Sequence, residues 1–450
     1  MEVSTRTRPD KGQELELRID ALAYGGAGVA RADGYVVFVR GAVPGDRVRA
    51  VLTKRKRGYG EARVLELLEG SPDRVPALAD HPGAPWQVLP YERQLEVKQE
   101  QVEDALRRLG GLDGFALEPI VAAEERWRYR NKLEYSFGTD AEGHLVCGFH
   151  APGSWERIEP IDDCLLASER GNAVRERAVA ALREQGLEAY DRREQHGFLR
   201  NLVVREGRRT GQVQVRLVTS EGDFDGAAFA AALDADSVAW TQIESVAEVT
   251  AGGSSELLAG GAKIEEELGG LRFALSPEAF FQTNTEMAER LYAIAAEYAA
   301  LQGWERVYDL FCGIGTIALT LAPRAGEVWG LEIVEEAIAD AIENARANEI
   351  GNVHFFAGDV RLALRELVER ANRPDLVVVD PPRAGLSQKV VRRLIEAAPK
   401  RIVYVSCNPT TLAPNAAQLV EAGYALRRVR PVDMFPQTPH IECVALLERA

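Results

Sequence analysis

The chain has 450 residues, of which 46% are hydrophobic and 27% are charged, as in soluble globular proteins. At roughly 150 residues per domain, this length predicts about three domains and excludes a small scaffold that depends on disulfides or a structural metal. The longest apolar runs, such as LVVV at 376–379, are much shorter than the about 18 residues of a membrane helix, and the first residues lack an apolar signal core. We therefore expect a cytoplasmic protein that does not enter a membrane. We also expect the protein to act as a monomer.

The cysteines argue against a disulfide framework and against a zinc ribbon. They are odd in number, widely separated and contain no C-x-x-C pair. We expect free thiols and no metal site. The five are Cys147, Cys164, Cys312, Cys407 and Cys443.

The distribution of charge is uneven. The net charge of −15 argues on its own against a polyanionic partner, because phosphate contacts need Lys and Arg. Between residues 40 and 60, however, seven basic residues accompany a single acid, Asp46, which gives a local charge of +6. This segment is either a solvated loop or a surface that binds nucleic acid.

Residues 12–70 have the pattern of a small β-barrel. Short alternating runs such as YVVFV and DRVRAVL are separated by glycine turns, which predicts five antiparallel strands. Barrels of this size commonly bind oligonucleotides, and KRKRGYG supplies cations and the ring of Tyr59. The segment resembles the TRAM module, an RNA-binding barrel. Its candidate RNA-binding residues are Lys54, Arg55, Lys56 and Arg57.

Residues 71–270 predict a central α+β domain. A proline-rich link is followed by one amphipathic helix at about 91–110, with Leu95, Val102, Leu106 and Leu109 on helical spacing. We expect this helix to pack on the catalytic domain. Beyond it, strand-like segments such as RNKLEYSFG and GQVQVRLVTS alternate with the helical pattern of GNAVRERAVAALREQ.

Residues 271–450 predict an α/β domain. Seven strand patterns alternate with helical patterns, and near-continuous apolar runs such as LVVV indicate a doubly wound, largely parallel, Rossmann-like sheet. In such sheets, ligands bind beyond the carboxyl ends of the strands. The motifs described next lie at those ends, except Glu442, which lies near the start of the last strand.

The first of these motifs predicts a nucleotide site. In DLFCGIGT, Gly313 and Gly315 follow a strand and open a helix, and Glu332 ends the next strand 23 residues after Asp309, placed to accept ribose hydroxyls. GIGTIA also matches a dinucleotide fingerprint, so a nicotinamide oxidoreductase is an alternative. Asp359 and Asp380 after the next two strands make the series resemble S-adenosylmethionine-dependent methyltransferases, since an acidic rim suits a cationic sulfonium.

Two further motifs place a nucleophile and a base. Cys407 in VYVSCNP leaves a buried strand into a turn that is restricted by Pro409; most single cysteines only pack, but a strand end beside a methyl donor suits a nucleophile. His440 and Glu442 are two residues apart at the start of the last strand, so they share a face and either one is a candidate base.

The motifs DLFCGIGT, DPPR, SCNP and PQTPHIE, with FFQTNT at 280–285, resemble in this order the RNA uracil-5 methyltransferases. The resemblance implies S-adenosylmethionine as cofactor, Cys407 as the nucleophile that adds to uracil C6, and Glu442 as the base that removes the C5 proton. Arg383 replaces the aromatic residue of DPPY-type amine methyltransferases. The cofactor site implied by the resemblance comprises Gln282, Phe311, Thr316, Glu332, Asp359 and Asp380, and the RNA contacts comprise Arg130, Asn131 and Lys132.

One feature departs from the family pattern. Many members hold an iron–sulfur cluster through C-x5-C-x2-C before a glutamine, plus one later cysteine. If Gln87 is that glutamine, the first three positions are Val75, His81 and Ala84, so that Cys164 alone remains. One thiolate cannot hold a four-iron cluster, and we expect none.

The sequence thus predicts a three-part enzyme that makes 5-methyluridine in structured RNA through a covalent Cys407–C6 adduct. The separate barrel favours 23S ribosomal RNA. Two alternatives remain open: a tRNA uracil-5 methyltransferase, and a non-catalytic RNA-binding or assembly factor.

Overall fold

The computed structural model describes residues 8–245, 250 and 252–449, and the elements below are those of these residues. The described strands form four sheets: a six-stranded barrel, a central sheet of seven strands, a two-stranded hairpin and a catalytic sheet of eight strands. Among the described residues, no helix has the length and apolarity needed to cross a membrane.

The first region is the barrel, with strand order β1-β5-β6-β4-β3-β2. It has one more strand than predicted, because the segment predicted as the first strand is divided in two. Its first part, β1, pairs with β5; after Ile19 and Asp20, its second part, β2, pairs with β3. Lys56, Arg57 and Gly58 form the tip of the hairpin between β5 and β6. The strands are β1 (Glu14–Arg18), β2 (Ala21–Leu22), β3 (Gly28–Ala32), β4 (Tyr35–Arg40), β5 (Arg47–Arg55) and β6 (Tyr59–Glu69).

The predicted helix at 91–110 is α1 (Tyr91–Asp104), continued by a π-helical turn (Ala105–Leu109). Val102 and Leu106 enter the core of the catalytic domain, whereas Leu109 is 62% exposed, contrary to the predicted stripe. The helix is followed by β7 (Ala116–Leu117), which pairs with a strand of the catalytic sheet. The helix therefore belongs with the catalytic domain, as expected.

The polar side chains of Gln94 and Lys98 lie on the buried face of α1. For this reason, the spacing of apolar residues did not predict correctly which face of the helix is buried. Lys98 and Asp433 form an ion pair at 2.6 Å between side chains that are both fully buried. Lys98 Nζ also donates to the carbonyl oxygen of Phe435 at 3.0 Å. The Tyr91 hydroxyl donates to the same carboxylate of Asp433 at 2.8 Å. Helix α1 thus fixes the loop that precedes the last strand.

We expect Lys98→Met to lower the free energy of unfolding of the catalytic domain by about 3–5 kcal/mol, because it leaves the carboxylate of Asp433 buried without its cation. Urea denaturation followed by circular dichroism measures this. Arg108→Met is the matched control, since it breaks an exposed pair with Asp104, which contributes about 0–1 kcal/mol. Equal losses in the two variants would contradict the prediction.

The central region is a sheet with strand order β10-β9-β8-β11-β12-β13-β14, in which β12 and β13 run parallel and the other neighbours run antiparallel. Helix α2 packs on one face of this sheet, and the core between the helix and the sheet includes Tyr135, Phe137 and Leu182. The elements are β8 (Lys132–Thr139), β9 (Leu145–His150), β10 (Ile158–Pro160), α2 (Glu169–Glu184), β11 (Leu199–Glu206), β12 (Val213–Thr219), α3 (Gly226–Ala231), β13 (Ser237–Gln242) and β14 (Ser254–Gly260).

A hairpin of β15 (Ile264–Leu268) and β16 (Leu271–Leu275) crosses the predicted boundary at 270–271 and packs on the catalytic core, where Phe273 is fully buried. After it come the helices and strands of the catalytic domain. They are α4 (Thr285–Ala299), β17 (Arg306–Leu310), α5 (Thr316–Leu321), β18 (Glu327–Glu332), α6 (Glu335–Ala347), β19 (Val353–Ala357), α7 (Val360–Ala371), β20 (Leu376–Val379), α8 (Gln388–Ala397), β21 (Arg401–Ser406), α9 (Pro409–Glu421), β22 (Tyr424–Val432) and β23 (Glu442–Arg449).

The catalytic sheet has the order β19-β18-β17-β20-β21-β23-β22-β7. The seven predicted strands are present, and β7 adds an eighth at the edge among the described residues. The strands from β19 to β21 are parallel, and β23 inserts antiparallel between β21 and β22. The order in which successive strands are added to the sheet reverses between β17 and β20, which is where doubly wound sheets open a crevice for ligands.

Candidate active site

A cavity of about 590 Å³ opens at the carboxyl ends of the parallel strands β17, β18, β20 and β21. Most of the predicted cofactor residues and both predicted catalytic residues meet there, although they come from widely separated segments. Those that line the cavity are Gln282, Phe311, Thr316, Glu332, Asp380, Cys407 and Glu442.

The glycine turn after β17 forms the cavity floor. Gly315 has a φ of +85°, and a Cβ there would lie 2.8 Å from the ring of Phe355. Glycine is therefore required to bring the turn close to the sheet. Phe311 also has a positive φ, +68°, which for a bulky side chain is a strained conformation typical of ligand sites. Thr316 begins α5, and its hydroxyl donates to the hydroxyl of Tyr292 at 3.2 Å.

Four carboxyl groups face this cavity. Burial raises the pKa of Asp309 to about 8 and that of Asp380 to about 7, and the proximity of Asp380 contributes to the shift of Asp309. Asp309 accepts a hydrogen bond from the backbone N–H of Ala318 through Oδ2, whereas its Oδ1 has no hydrogen-bond partner among the described residues. Glu332 accepts from the backbone N–H groups of Gly313 and Ile333. A bound cation would favour the ionised form of these acids.

Cys407 follows the last residue of β21 and is half-buried at the cavity wall. Burial, together with the carboxyl groups of Glu442 and Asp380, raises the pKa of its thiol to about 12, and the charge of Arg383 opposes this rise. The guanidinium of Arg383 lies in the same cavity. Arg383 is therefore the cation placed to favour the thiolate, an activating group that no sequence pattern identified.

Glu442 is the first residue of β23 and is 3% exposed. It lies beside Cys407 because Ser406 and Cys443 are register partners in neighbouring strands. Burial raises the pKa of Glu442 well above its usual value, and its Oε2 has no partner within the described ranges. A buried carboxyl group with a free oxygen aimed at a cavity can exchange a proton with a bound substrate.

His440 also lines the cavity, but it lies two residues before the start of β23, so the last strand begins later than the sequence predicts. Burial and the nearby charge of Arg383 lower the pKa of His440 to about 4, so its ring is neutral near pH 7. The ring Nδ1 lies 3.5 Å from a guanidinium nitrogen of Arg383.

Asp359 is the one predicted cofactor residue that does not line the cavity among the described residues. It caps α7, since its side chain accepts from the backbone N–H of Arg361, and it pairs with the guanidinium of the same residue. That pair lowers the pKa of Asp359. The carboxylate is thus held at the start of its helix, and its contact with the cofactor stays a prediction.

The structure corrects the expectation that Asn131 contacts RNA. Its side chain is 3% exposed, and its amide donates to the carbonyl oxygen of Gln282 at 2.8 Å and to the hydroxyl of Thr285 at 2.9 Å. Its backbone N–H also donates to the carbonyl oxygen of Thr283. The side-chain amide of Asn131 therefore positions the segment that carries Gln282, and its burial places it poorly for contact with RNA.

The other predicted RNA contacts differ in accessibility. The guanidinium of Arg130 stacks 5.3 Å from the ring centre of Phe435, which lines the cavity, so Arg130 lies at its rim. Lys132 has a side chain that is only 18% exposed and pairs with Glu134 at 2.7 Å. It is poorly placed for RNA in this conformation.

The basic hairpin of the barrel is exposed. Lys54 pairs with Glu61 at 2.9 Å and Arg55 pairs with Asp10 at 3.0 Å. Lys56 and Arg57 at the tip are exposed, and in the part of the chain that the structure describes they form no ion pair. The tip cations are thus the most available for phosphate.

Sequence reasoning missed several residues of the site. Tyr292 lies two turns into α4 and fits an apolar helical stripe, yet it lines the cavity with Phe435. Tyr24 belongs to the barrel, and its hydroxyl donates to the carbonyl oxygen of Cys407 at 3.1 Å. No spacing rule links residues that are 383 positions apart.

The positions that would hold an iron–sulfur cluster have no suitable ligand set. His81 Nδ1 accepts from the backbone N–H of Gly83, so Nε2 carries the hydrogen and lies 3.3 Å from the sulfur of Cys164. Both side chains are buried, as is Ala84, and Val75 is 38% exposed. Across residues 8–245, 250 and 252–449, no group of three or more His, Cys, Asp or Glu side chains is arranged to hold a metal.

We expect protein purified without oxygen to be colourless and to contain no stoichiometric iron, because one thiolate paired with a histidine cannot hold a cluster. Elemental analysis and the visible absorption spectrum measure this. About four irons per chain would contradict the alignment of this segment.

Comparisons with known proteins agree with the geometry of the cavity. The model of the tRNA (uracil-5-)-methyltransferase family matches residues 268–450, and the TRAM domain model matches residues 10–65. An uncharacterized RNA methyltransferase of Halalkalibacterium halodurans is 39% identical over 98% of each chain. One of Gloeobacter violaceus is 41% identical over 98% of this chain and 97% of its own. The chain belongs to the RNA uracil-5 methyltransferase family.

A solved structure has the same architecture over nearly the whole chain. The tRNA (uracil-54, C5)-methyltransferase of Pyrococcus abyssi, in complex with S-adenosyl-L-homocysteine, superposes with a TM-score of 0.80 at 30% identity. The match covers 96% of this chain and 99% of that one. The α/β class with an N-terminal TRAM barrel is therefore confirmed.

As a member of this family, the protein is an S-adenosylmethionine-dependent RNA methyltransferase. The nicotinamide oxidoreductase and the non-catalytic RNA-binding factor are thereby set aside. The cavity fits the cofactor, because the unpartnered Oδ1 of Asp309 and the neighbouring carboxyl groups suit a ligand that carries ammonium and sulfonium charges. When bound, S-adenosylmethionine supplies an electrophilic methyl group.

Proposed function

We propose that this methyltransferase makes 5-methyluridine in 23S ribosomal RNA through a covalent adduct between Cys407 and C6 of the target uracil. The observation that carries the proposal is the meeting of Cys407 and Glu442 in one cavity with the cofactor residues Gln282 and Asp380. A thiol and a buried acid beside a methyl-donor site are the groups that methylation of a weakly nucleophilic carbon requires.

The roles of the residues follow from that chemistry. The thiolate of Cys407 adds to C6 and forms a C–S bond, and the electrons of the C5–C6 double bond move toward the C4 carbonyl as an enolate. C5 of this enolate takes the methyl group as the bond between that methyl and the sulfonium sulfur breaks, which leaves S-adenosylhomocysteine. Glu442 then removes the C5 proton, the C5–C6 double bond re-forms, and Cys407 leaves C6 as a thiolate. Arg383 favours the thiolate at the first step, because its charge lowers the pKa of Cys407.

The target uridine must leave its stack for this reaction, because C5 and C6 are approached from opposite sides of the ring. We therefore expect the enzyme to extrude a uridine from a loop. The exposed hairpin of the barrel then binds flanking phosphates at a distance from the cavity.

Two RNA classes are candidate substrates. The separate barrel favours ribosomal RNA as a feature of the family. The likeness to the Pyrococcus abyssi enzyme favours tRNA as the second candidate, because the match spans 96% of this chain, barrel included. The barrel therefore does not exclude tRNA, and the experiment below separates the two substrates.

Nucleoside mapping of total RNA from cells with and without the gene tests the proposal. We expect one or more 5-methyluridines of 23S ribosomal RNA to disappear without the gene, and the purified enzyme to restore them in vitro. Loss of 5-methyluridine from tRNA alone would overturn the substrate, and an unchanged map with no activity in vitro would overturn the reaction.

We expect the double variant Lys56→Gln, Arg57→Gln to bind RNA more weakly with a smaller salt dependence. For a single-stranded site, each lost phosphate contact reduces the slope of log K against log salt by about 0.7. Fluorescence anisotropy with a loop-containing RNA across a salt series measures the slope. Arg365→Gln, Arg370→Gln is the control, since it removes two charges from α7, where both pair with glutamates. An unchanged slope for the hairpin variant would remove the hairpin from RNA binding.

A further inference from the structure

The turn at residues 24–26 of the barrel lies against both catalytic loops. The hydroxyl of Tyr24 donates to the carbonyl oxygen of Cys407 at 3.1 Å. Gly26 has a φ of +87°, and a Cβ at this position would lie 2.9 Å from Cβ of Pro439 and 3.3 Å from the indole nitrogen of Trp86. Pro439 is three residues before Glu442. One turn therefore contacts the loop of the nucleophile and the loop of the base.

This turn is held in place by the rest of the barrel interface. Leu22 and Val43 of the barrel form an apolar cluster with Trp86, Leu89 and Val97. The side chain of Gln101 on α1 donates to the carbonyl oxygen of Leu22 at 3.2 Å. The ring of Tyr24 packs at the edge of the catalytic core. Apolar burial and backbone hydrogen bonds thus fix the position of Tyr24 relative to Cys407.

Cys407 needs such support because it lies at the point where sheet pairing ends. The ladder between β21 and β23 stops at Ser406. After Cys407, Asn408 caps α9 by accepting from the backbone N–H of Thr410. The peptide unit that begins at the carbonyl of Cys407 links the strand to this helix, and the Tyr24 hydroxyl binds that carbonyl.

We propose that Tyr24 is a positioning residue for methyl transfer, which holds the backbone of Cys407 so that its thiol points at C6 of the uracil. The inference rests on the proposed covalent mechanism. A nucleophile must approach within about 3–3.5 Å in the right direction, and a 1 Å displacement costs about 100-fold in rate. The barrel then contributes to the chemical step as well as to RNA affinity.

Tyr24 remains a hydrogen-bond donor at every pH used in an assay. Burial and the neighbouring Cys407 raise the pKa of its hydroxyl to about 12. The hydroxyl therefore keeps its hydrogen bond to the carbonyl oxygen of Cys407 across that range.

Single-turnover methylation by the full-length enzyme, at saturating S-adenosylmethionine and RNA, tests the inference with Tyr24→Phe. This variant keeps the ring and removes only the hydroxyl. We expect the rate to fall about 10-fold, between the effect of one hydrogen bond and that of a 1 Å displacement. The Kd values for RNA and S-adenosylmethionine should stay within about twofold of wild type, since neither binding surface changes.

Tyr424→Phe is the matched control. It removes a hydroxyl that donates to the carbonyl oxygen of Pro399 at 2.9 Å. This hydrogen bond lies in the catalytic domain, as Cys407 does, but away from the cavity. We expect it to leave the single-turnover rate unchanged. A second variant, Gly26→Ala, keeps the hydroxyl of Tyr24 but forces the turn away from Pro439, so it should slow the reaction as Tyr24→Phe does.

Three results would overturn the inference: a wild-type rate for Tyr24→Phe, a change confined to RNA affinity, or an equal loss of rate in Tyr424→Phe. The first two assign the hydroxyl to packing or to RNA binding, and the third assigns the loss to general destabilisation. Cys407→Ala separates this inference from the proposed function. If Cys407→Ala is inactive and Tyr24→Phe is normal, the covalent mechanism stands and the role of Tyr24 falls; if Cys407→Ala is active, both fall.

Discussion

Replacement of Cys407 by alanine is expected to reduce methyl transfer by at least about 10³-fold, because uracil C5 becomes nucleophilic only after a thiolate adds to C6. Because the thiol is half-buried at the wall of the cavity, it can reach a uracil ring that is bound there. Transfer of a radioactive methyl group to RNA measures the loss. RNA binding should be retained, since the basic hairpin of the barrel is unchanged.

Cys147→Ala is the control for the loss of a cysteine. Cys147 is buried in the central sheet and does not line the cavity, so we expect wild-type turnover. Normal turnover by Cys407→Ala would show that the covalent mechanism is wrong.

Glu442→Gln is expected to accumulate a covalent complex between protein and RNA. The carboxamide cannot take the C5 proton, so elimination of the thiol stalls after the methyl group has been transferred. The position of Glu442 beside Cys407, with one oxygen unpartnered in the described residues, supports the proposal that it is the base. A denaturing gel with labelled RNA detects the complex as a band of reduced mobility.

The double variant Cys407→Ala, Glu442→Gln is the control, because it lacks the sulfur that forms the bond and should give no such band. The band should also need S-adenosylmethionine. Turnover by Glu442→Gln at the wild-type rate, with no adduct, would assign the proton transfer to another group, of which His440 in the same cavity is a candidate.

Much of the fold was predictable because its signals are local. The apolar run LVVV became β20, in which all four residues are buried, and the GIGT turn opens α5 as its glycines indicate. Helix α1 was found at its predicted place, but its buried face was not. Gln94 and Lys98 are polar, and only distant partners such as Asp433 explain their burial.

The candidate site was predictable to a similar degree. Residues that follow parallel strands meet at one edge of the sheet, so Glu332, Asp380 and Cys407 could be grouped from their positions. Asn131 was misassigned because a polar residue among cations looks like an RNA contact until its buried hydrogen bonds are seen. Tyr24 was missed because domain docking leaves no periodic signal in the sequence.

The ion pair between Lys98 and Asp433 joins two parts of the chain that are 335 residues apart in sequence. The catalytic domain is therefore assembled from two separate parts of the chain. The first part contains α1 and β7, and the second contains β15 to β23; the central sheet is inserted between the two parts. Such long-range contacts slow folding, since a large loop must close before they form. During synthesis, α1 emerges long before its partners, and β23, which lies between β21 and β22, emerges after both of them. The catalytic sheet can be completed only after β23 has left the ribosome, so α1 must remain soluble, or be protected by a chaperone, until then.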